Sequence, residues 1–189
     1  MEYEEIKKTL EEYVATQLTE KRRRHTLGVR DTALMLSERY GGDPSKAEIA
    51  ALAHDMYRGL RGEELDRTVM ELGLDSKYLG SPNLAHSKIA AEMLKRKYGI
   101  DDEEILNAVS FHTTGREGMG KLEKIIFLAD AIEPGRDYPG VEKVREAAMI
   151  SLEEGCLCSM EGTIGHVLSQ GAYLDEDTIK AADFLKENK

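Results

Sequence analysis

Apolar residues recur at intervals of three and four along most of this 189-residue chain. In the first segment they are Ile6, Leu10, Tyr13, Val14 and Leu18, a spacing that builds one apolar face of an α-helix. No alternating run of β-branched residues reaches five positions, and neither Asn-Gly nor Asp-Gly, the strongest hairpin signals, occurs. The sequence therefore predicts an all-α fold.

Helix start and stop signals divide the rest of the chain. Thr19 is a predicted N-cap for a second helix that Gly41 ends, and Asp43-Pro44 begins a third helix that ends near His54-Asp55. Asp101 with Glu104 is interpreted as a capping box for a helix that ends at His112. Other helices are predicted over 63–72, 82–98, 121–132, 140–149, 151–169 and 175–187. Helix stops are predicted at the glycines at positions 41, 42, 73, 99, 115 and 155. With no linker or repeat between these segments, residues 1–189 are expected to form a single domain.

Four of the five histidines belong to a series of metal-binding residue types. The series consists of His25, His54, Asp55, His86, His112 and Asp130. Neutral imidazole is the commonest metal ligand in proteins, and a neighbouring carboxylate suits a hard divalent ion. Asp130 lies in an apolar segment, where a buried carboxylate needs a metal ion or a cationic partner.

The charge of the chain limits its partners. A net charge of −10 argues against a protein that coats nucleic acid, and no apolar run approaches the length of a membrane span. The acidic N-terminus is unlike a signal peptide, so we expect a cytoplasmic protein. Basic residues nevertheless occur near the ligand series. We expect Arg58, Arg116 and Arg136 to contact phosphate, whereas the run at 21–24 is interpreted as a solvated face.

Four short segments resemble one known family. They are Arg24-His-Thr-Leu-Gly-Val29, Ala50-Ala-Leu-Ala-His-Asp55, Phe111-His-Thr-Thr-Gly-Arg116, and Leu128-Ala-Asp130 with Ile132-Glu-Pro-Gly-Arg-Asp137. The order His…His-Asp…Asp is similar to that of the HD-domain phosphohydrolases. The amino-acid sequences of the four segments resemble those of the symmetrical diadenosine-tetraphosphate hydrolases within that superfamily. The resemblance extends over roughly residues 2 to 187.

The resemblance implies a helical HD-domain fold and a site for two divalent ions. One ion would be held by His25, His54, Asp55 and Asp130, and the second by His86, His112 and a bridging Asp55. Iron is the favoured metal, with manganese or another divalent ion as the alternative. A hydroxide bridging the ions would split diadenosine tetraphosphate into two ADP. The catalytic residues would be His54, Asp55 and Arg58, and the substrate contacts Arg58, Thr113, Arg116 and Arg136. Relatives often carry lysine where this chain has Arg58.

Other functions stay open at this point. They are phosphohydrolysis of another nucleotide, nucleotide binding without turnover in a regulatory module, and a structural helical adaptor without metal. The segment from Gly115 to Lys121 nearly matches a Walker A loop, but Leu122 stands where a magnesium-binding Ser or Thr is required. We expect it to be a flexible loop at the mouth of the metal site, with Arg116 and Lys121 near phosphate. The expected partner is a small dinucleoside polyphosphate, without nucleic acid or membrane, and a homodimer is left open.

Overall fold

The computed structural model describes residues 3–188. Within that range it contains α-helices, one short 3-10 helix (Ser76–Tyr78) and no strand, so the all-α prediction is confirmed. The helices are α1 (Tyr3–Gln17), α2 (Glu20–Tyr40), α3 (Pro44–Ala53), α4 (Gly62–Leu72), α5 (Pro82–Tyr98), α6 (Glu103–Phe111), α7 (Lys121–Ile132), α8 (Val141–Ile150), α9 (Leu152–Ser169) and α10 (Glu176–Glu187).

The centre of the molecule is formed by α2, α3, α6 and α7. Helix α3 packs against α2, α6 and α7, and α7 also packs against α2 and α6. Three alanines of α3, at positions 50, 51 and 53, are completely buried, and such small side chains allow neighbouring helices to approach closely. Leu36, Leu52 and Ile126 fill the space between these helices and are also fully buried. This central packing fixes the positions of the helix ends that carry the ligand series.

The remaining helices surround this centre. Helix α1 packs on α3, α5 packs on α6, and α8 packs on α9. A second, smaller apolar cluster lies between α4 and α5 and includes Leu65, Val69 and Ile89. Between residues 3 and 188, no helix combines the length and the apolar character that a membrane span requires.

Most helix boundaries agree with the sequence signals, with two corrections. Thr19 accepts a hydrogen bond from the backbone N–H of Arg22 at the start of α2, and Gly41 ends that helix in the left-handed conformation. The N-cap of α6, however, is Asp102 and not Asp101, because the Asp102 carboxylate accepts the backbone N–H groups of residues 104 and 105. Gly155 was wrongly predicted as a helix stop. It lies inside α9, where an added Cβ would come within 2.8 Å of the Cα atom of Ala148.

Candidate metal centre

The C-terminal ends of three central helices meet at one place. His54 is the C-cap of α3, His112 is the C-cap of α6, and Asp130 lies in the last turn of α7. A helix C-terminus carries a partial negative charge that favours a nearby cation. His25 of α2 and His86 of α5 complete the group from two further helices. The fold therefore directs side chains from five helices toward a site suited to positive charge.

One set of donor atoms forms around His25. Its Nε2 atom lies 3.1 Å from Oδ1 of Asp130, 3.7 Å from Oδ2 of Asp55 and 3.4 Å from Nε2 of His54. Metal–ligand bonds of about 2.1 Å place adjacent ligand atoms about 3.0–3.4 Å apart. The four residues His25, His54, Asp55 and Asp130 therefore have the spacing of ligands that share one ion.

A second set of donor atoms forms around His86. Its Nε2 atom lies 3.1 Å from Nε2 of His112 and 3.3 Å from Oδ1 of Asp55. The two carboxylate oxygens of Asp55 thus face different partners, Oδ2 toward His25 and Oδ1 toward His86. This arrangement allows Asp55 to bridge two neighbouring ions. The structure brings together all six residues of the predicted ligand series.

Hydrogen bonds of the outer ring nitrogens show that the imidazoles are set up as ligands. The Nδ1 atoms of His54, His86 and His112 lie 2.6, 3.1 and 2.8 Å from the backbone carbonyls of Ala51, Pro82 and Val109. A carbonyl only accepts, so each Nδ1 carries the proton and each inward Nε2 offers a lone pair. The inward Nε2 lone pairs lie so close to one another that they repel unless a cation lies between them. The donor set therefore fits divalent metal ions.

Burial and the neighbouring side chains together favour the same protonation state. Burial, reinforced by the nearby His54 and His86, lowers the pKa of His112 to about 3. Burial acts to raise the pKa of the Asp55 carboxyl group, but the surrounding histidines outweigh it and hold that pKa below its ordinary value. At neutral pH the cluster therefore presents a neutral imidazole at His112 and an ionised carboxylate at Asp55, the forms that bind metal.

Glu133, which is not among the predicted site residues, supports His25 from behind. Its Oε1 atom lies 3.1 Å from Nδ1 of His25, and its Oε2 atom accepts the backbone N–H of Gly135. The Glu133 side chain is buried. A carboxylate in this position fixes the orientation of a ligand histidine and strengthens it as a donor. The only signal for this role was its place in the Ile132–Asp137 segment.

Five of the six candidate ligands, all except the fully buried His54, line a cavity of about 820 Å³. Three of the four residues predicted to contact substrate, Arg58, Thr113 and Arg136, also line this cavity. Arg136 donates hydrogen bonds to the carboxylate and the backbone carbonyl of Asp130. The Asp130 carboxylate therefore has a cationic partner and also belongs to the group of candidate metal ligands. Arg58 is anchored by the backbone carbonyl of Pro82 and the side-chain oxygen of Asn83.

The loop between α6 and α7 does not take the position we expected for it. Arg116 does not line the cavity, and its guanidinium group binds both carboxylate oxygens of buried Glu123 at 2.6 and 2.9 Å. The Lys121 ammonium group donates to the backbone carbonyl of Gly41, which is also outside this cavity. Of residues 112–120, which connect the two helices, His112 and Thr113 line the cavity. A phosphate contact by Arg116 stays a prediction without support from this geometry.

The basic run at the start of α2 was interpreted as a solvated face, and Lys21 and Arg24 are exposed. Lys21, Arg22 and Arg24 also line the cavity, a position that the sequence did not predict. Arg22 also donates to Oδ2 of Asp55 at 2.5 Å. The sequence could not show this, because the direction of these side chains depends on how α2 is rotated against α3 and α7.

Comparisons with known proteins agree with this geometry. Residues 22–135 match the family model described as "HD domain". A Bacillus subtilis protein named "Bis(5'-nucleosyl)-tetraphosphatase, symmetrical" is 39% identical over 91% of this chain and 93% of its own length. A protein of the same name from Halalkalibacterium halodurans is 43% identical over 88% of this chain and 89% of its own length. A crystal structure from Clostridium acetobutylicum, described as a predicted HD superfamily hydrolase involved in NAD metabolism, is 40% identical. It matches with a TM-score of 0.90 over 100% of this chain and 99% of that one.

Proposed function

The chain belongs to the HD-domain family, and we propose that it is a metal-dependent hydrolase that cleaves diadenosine tetraphosphate symmetrically into two ADP. The substrate is inferred from the names of the Bacillus and Halalkalibacterium relatives, which match nearly the whole chain. The reaction class is inferred from the six-residue donor cluster, five members of which line a cavity that is also lined by cationic side chains.

The observation that carries the proposal of a two-ion site is that the two carboxylate oxygens of Asp55 belong to different sets of donors. Because its two oxygens face His25 and His86 respectively, we propose two divalent ions per chain. Ligands that mix imidazole and carboxylate suit iron, which we favour, and also manganese and other divalent ions. Bound ions would lower the pKa of a water molecule and neutralise charge on the attacked phosphate group.

The chain's own side chains have separate tasks in this proposal. His54 and Asp55 act as ligands, and we count them as catalytic for that reason. Arg58 and Arg136 lie in the cavity wall, where planar guanidinium groups can bind phosphate oxygens in pairs. The Thr113 hydroxyl lies 3.3 Å from Nε2 of His112 and 3.4 Å from Nε2 of His86, close enough to the cluster to contact the reacting phosphate.

The bond changes follow from symmetric cleavage. Water adds to one of the two inner phosphorus atoms, and the bond between that phosphorus and the oxygen bridging the inner pair breaks. One ADP leaves with the bridging oxygen, the other carries the oxygen of water, and the two protons of water pass to solvent and to the terminal phosphate groups of the products. Because the departing group is a phosphate oxygen that is already a weak base, guanidinium groups can stabilise it without donating a full proton.

The alternative functions are weakened to different degrees. A helical adaptor has no use for a buried cluster of four histidines and two aspartates. Another nucleotide substrate and a regulatory module without turnover are both compatible with the cavity, and the product assay below separates them. A cytoplasmic location, the absence of nucleic-acid and membrane partners, and a homodimer stay predictions from the sequence. Light scattering on the purified protein tests the homodimer.

The decisive experiment is a product assay with a panel of nucleotides. We expect the metal-loaded enzyme to convert diadenosine tetraphosphate to ADP alone, resolved by chromatography, and to lose this activity with a chelator. A mixture of AMP and ATP would place the attack at an outer phosphorus and contradict symmetric cleavage. If another nucleotide is turned over faster than diadenosine tetraphosphate, that nucleotide is the substrate. If no nucleotide is turned over, the regulatory module is favoured.

A further inference from the structure

The first two turns of α2 present three cations to the cavity. Lys21, Arg22 and Arg24 line it together with the ligand His25, whereas Arg23 in the middle of the run does not. This division follows from the helical period, because Arg23 lies on the other side of the helix from the cavity. Arg23 is instead paired with Glu20 at 2.5 Å. The chain therefore contains its own comparison between cations that face the cavity and one that does not.

Two of the three cations have no strong partner. Within residues 3–188, no carboxylate lies within ion-pair distance of the Lys21 ammonium group. Arg24 pairs with Glu20 at 3.9 Å between two exposed side chains, and such pairs contribute little stability. Arg22 is fixed by its bond to Oδ2 of Asp55. Lys21 and Arg24 are therefore available to bind an anion in the cavity.

The position of these cations is unfavourable for the helix itself. The N-terminus of a helix carries a partial positive charge, so cations in its first turns reduce helix stability. The same partial charge favours a bound phosphate group. A local arrangement that costs stability and faces a cavity is typical of a binding function.

Asp55 divides the cations of the cavity into two groups. Its Oδ2 atom contacts Arg22, while its Oδ1 atom lies 3.8 Å from Nε of Arg58. Symmetric cleavage breaks the substrate between two ADP halves, each of which carries two phosphate groups. Phosphate-binding groups are therefore needed on both sides of the bond that breaks. Arg58 stands on the side of Oδ1, whereas Arg136, which binds Asp130 beside His25, stands with Arg22 on the side of Oδ2.

We propose that Lys21, Arg22 and Arg24 form a phosphate-binding arm that holds the two phosphates of one ADP half and also binds ADP as a product. We call these three residues the α2 arm. The inference rests on the proposed function, which supplies ADP as the ligand. Arg22 lies nearest the metal cluster and binds the phosphate next to the bond that breaks. Lys21 and Arg24 bind the outer phosphate of the same half.

Calorimetric titration of the metal-loaded protein tests this proposal. The titrants are ADP, inorganic pyrophosphate and adenosine, applied to wild type, Lys21→Ala, Arg24→Ala and the matched control Arg23→Ala. We expect each arm variant to weaken ADP and pyrophosphate binding by about tenfold, in keeping with the loss of one charge-assisted contact. Arg23→Ala should change neither Kd by more than about twofold, and adenosine binding should be equal in all four proteins.

Two further readouts separate binding from folding. The slope of log Kd against log salt should decrease in the arm variants, because each removes one cation from the phosphate contact. Their Tm should equal or exceed that of wild type, because a cation is removed from a helix N-terminus. In steady state, KM for diadenosine tetraphosphate should rise more than kcat falls.

The outcomes distinguish this proposal from the proposed function. Equal ADP and pyrophosphate affinities in arm variants and control would overturn the α2 arm, even if wild type cleaves diadenosine tetraphosphate. Absence of binding of either ligand to wild type would overturn it as well. If diadenosine tetraphosphate is not cleaved but the arm variants still lose pyrophosphate affinity, the proposed function fails and the phosphate-binding arm stands.

Discussion

Glu133 and His25 are 108 residues apart in the chain, yet Oε1 of Glu133 lies 3.1 Å from Nδ1 of His25. The same carboxylate accepts the backbone N–H of Gly135, one residue before Arg136. One buried side chain therefore fixes both a proposed metal ligand and the loop that carries a proposed phosphate-binding residue.

The first prediction concerns this carboxylate. Glu133→Gln keeps the shape of the side chain and can still accept a hydrogen bond, but it removes the charge behind His25. We expect metal affinity to fall by about 10–100-fold, the usual cost of losing such a partner. Metal titration of the stripped protein measures it. Glu71→Gln, an exposed change on α4, is the control, and equal affinities of the two variants would contradict the assigned role.

The second prediction compares two ligand substitutions by metal content. Since Asp55 faces both sets of donors, Asp55→Ala should reduce metal content at both positions and abolish activity. His86 faces only the second set, so His86→Ala should lower the content from about two ions per chain to about one. Elemental analysis after anaerobic loading gives both values. An Asp55→Ala protein that is stripped of metal and fully active would disprove the mechanism.

The third prediction concerns Arg116 and Arg136, which were both predicted from the sequence to contact phosphate. Arg136 lines the cavity, so Arg136→Ala should keep wild-type metal content and lose about 2–4 kcal/mol of transition-state stabilisation in kcat/KM. Arg116 holds buried Glu123, so Arg116→Ala should instead lower the free energy of unfolding by about 1–3 kcal/mol. Steady-state kinetics beside denaturant unfolding distinguish the two effects. A large kinetic defect in a stable Arg116→Ala protein would restore its predicted phosphate contact.

The helices could be predicted because they depend on local signals: apolar spacing and caps such as Thr19 fix where helices begin and end. The six candidate ligands could be predicted as a set because four histidines and two aspartates of metal-binding type recur in one order along the chain, and the structure brings them together. Prediction from the sequence was less successful with charged residues. The sequence favoured Arg116 over Arg24 as a phosphate contact, but helix rotation places Arg24 in the cavity wall and the pairing with Glu123 holds Arg116 outside it.

Capping residues show the same limit on a smaller scale. Asp101 and Asp102 are adjacent and chemically identical, so composition and spacing do not decide which one begins α6. The choice depends on backbone conformation and on neighbours that lie far away in the chain. Asp102 accepts a hydrogen bond from Tyr3 and lies 2.8 Å from the Lys46 ammonium group, contacts that place it at the helix end.

The last prediction tests that choice and its pH dependence. Asp102→Ala should lower the free energy of unfolding by about 1–2 kcal/mol through loss of the cap, whereas Asp101→Ala should change it by less than about 0.5 kcal/mol.

Burial acts to raise the pKa of Asp102, but Lys46 and the hydrogen bonds to the carboxylate outweigh it and lower that pKa below its ordinary value of 3.8. A group with a lowered pKa in the folded state stabilises the protein above its unfolded pKa, and this contribution is lost as pH falls through the folded value. Asp102→Asn keeps a capping oxygen without the charge, so wild type should be more stable than this variant at pH 7 and lose the advantage below about pH 4. Denaturant unfolding at both pH values measures the difference, and an advantage that persists unchanged at pH 3 would show that the charge of Asp102 does not stabilise the fold.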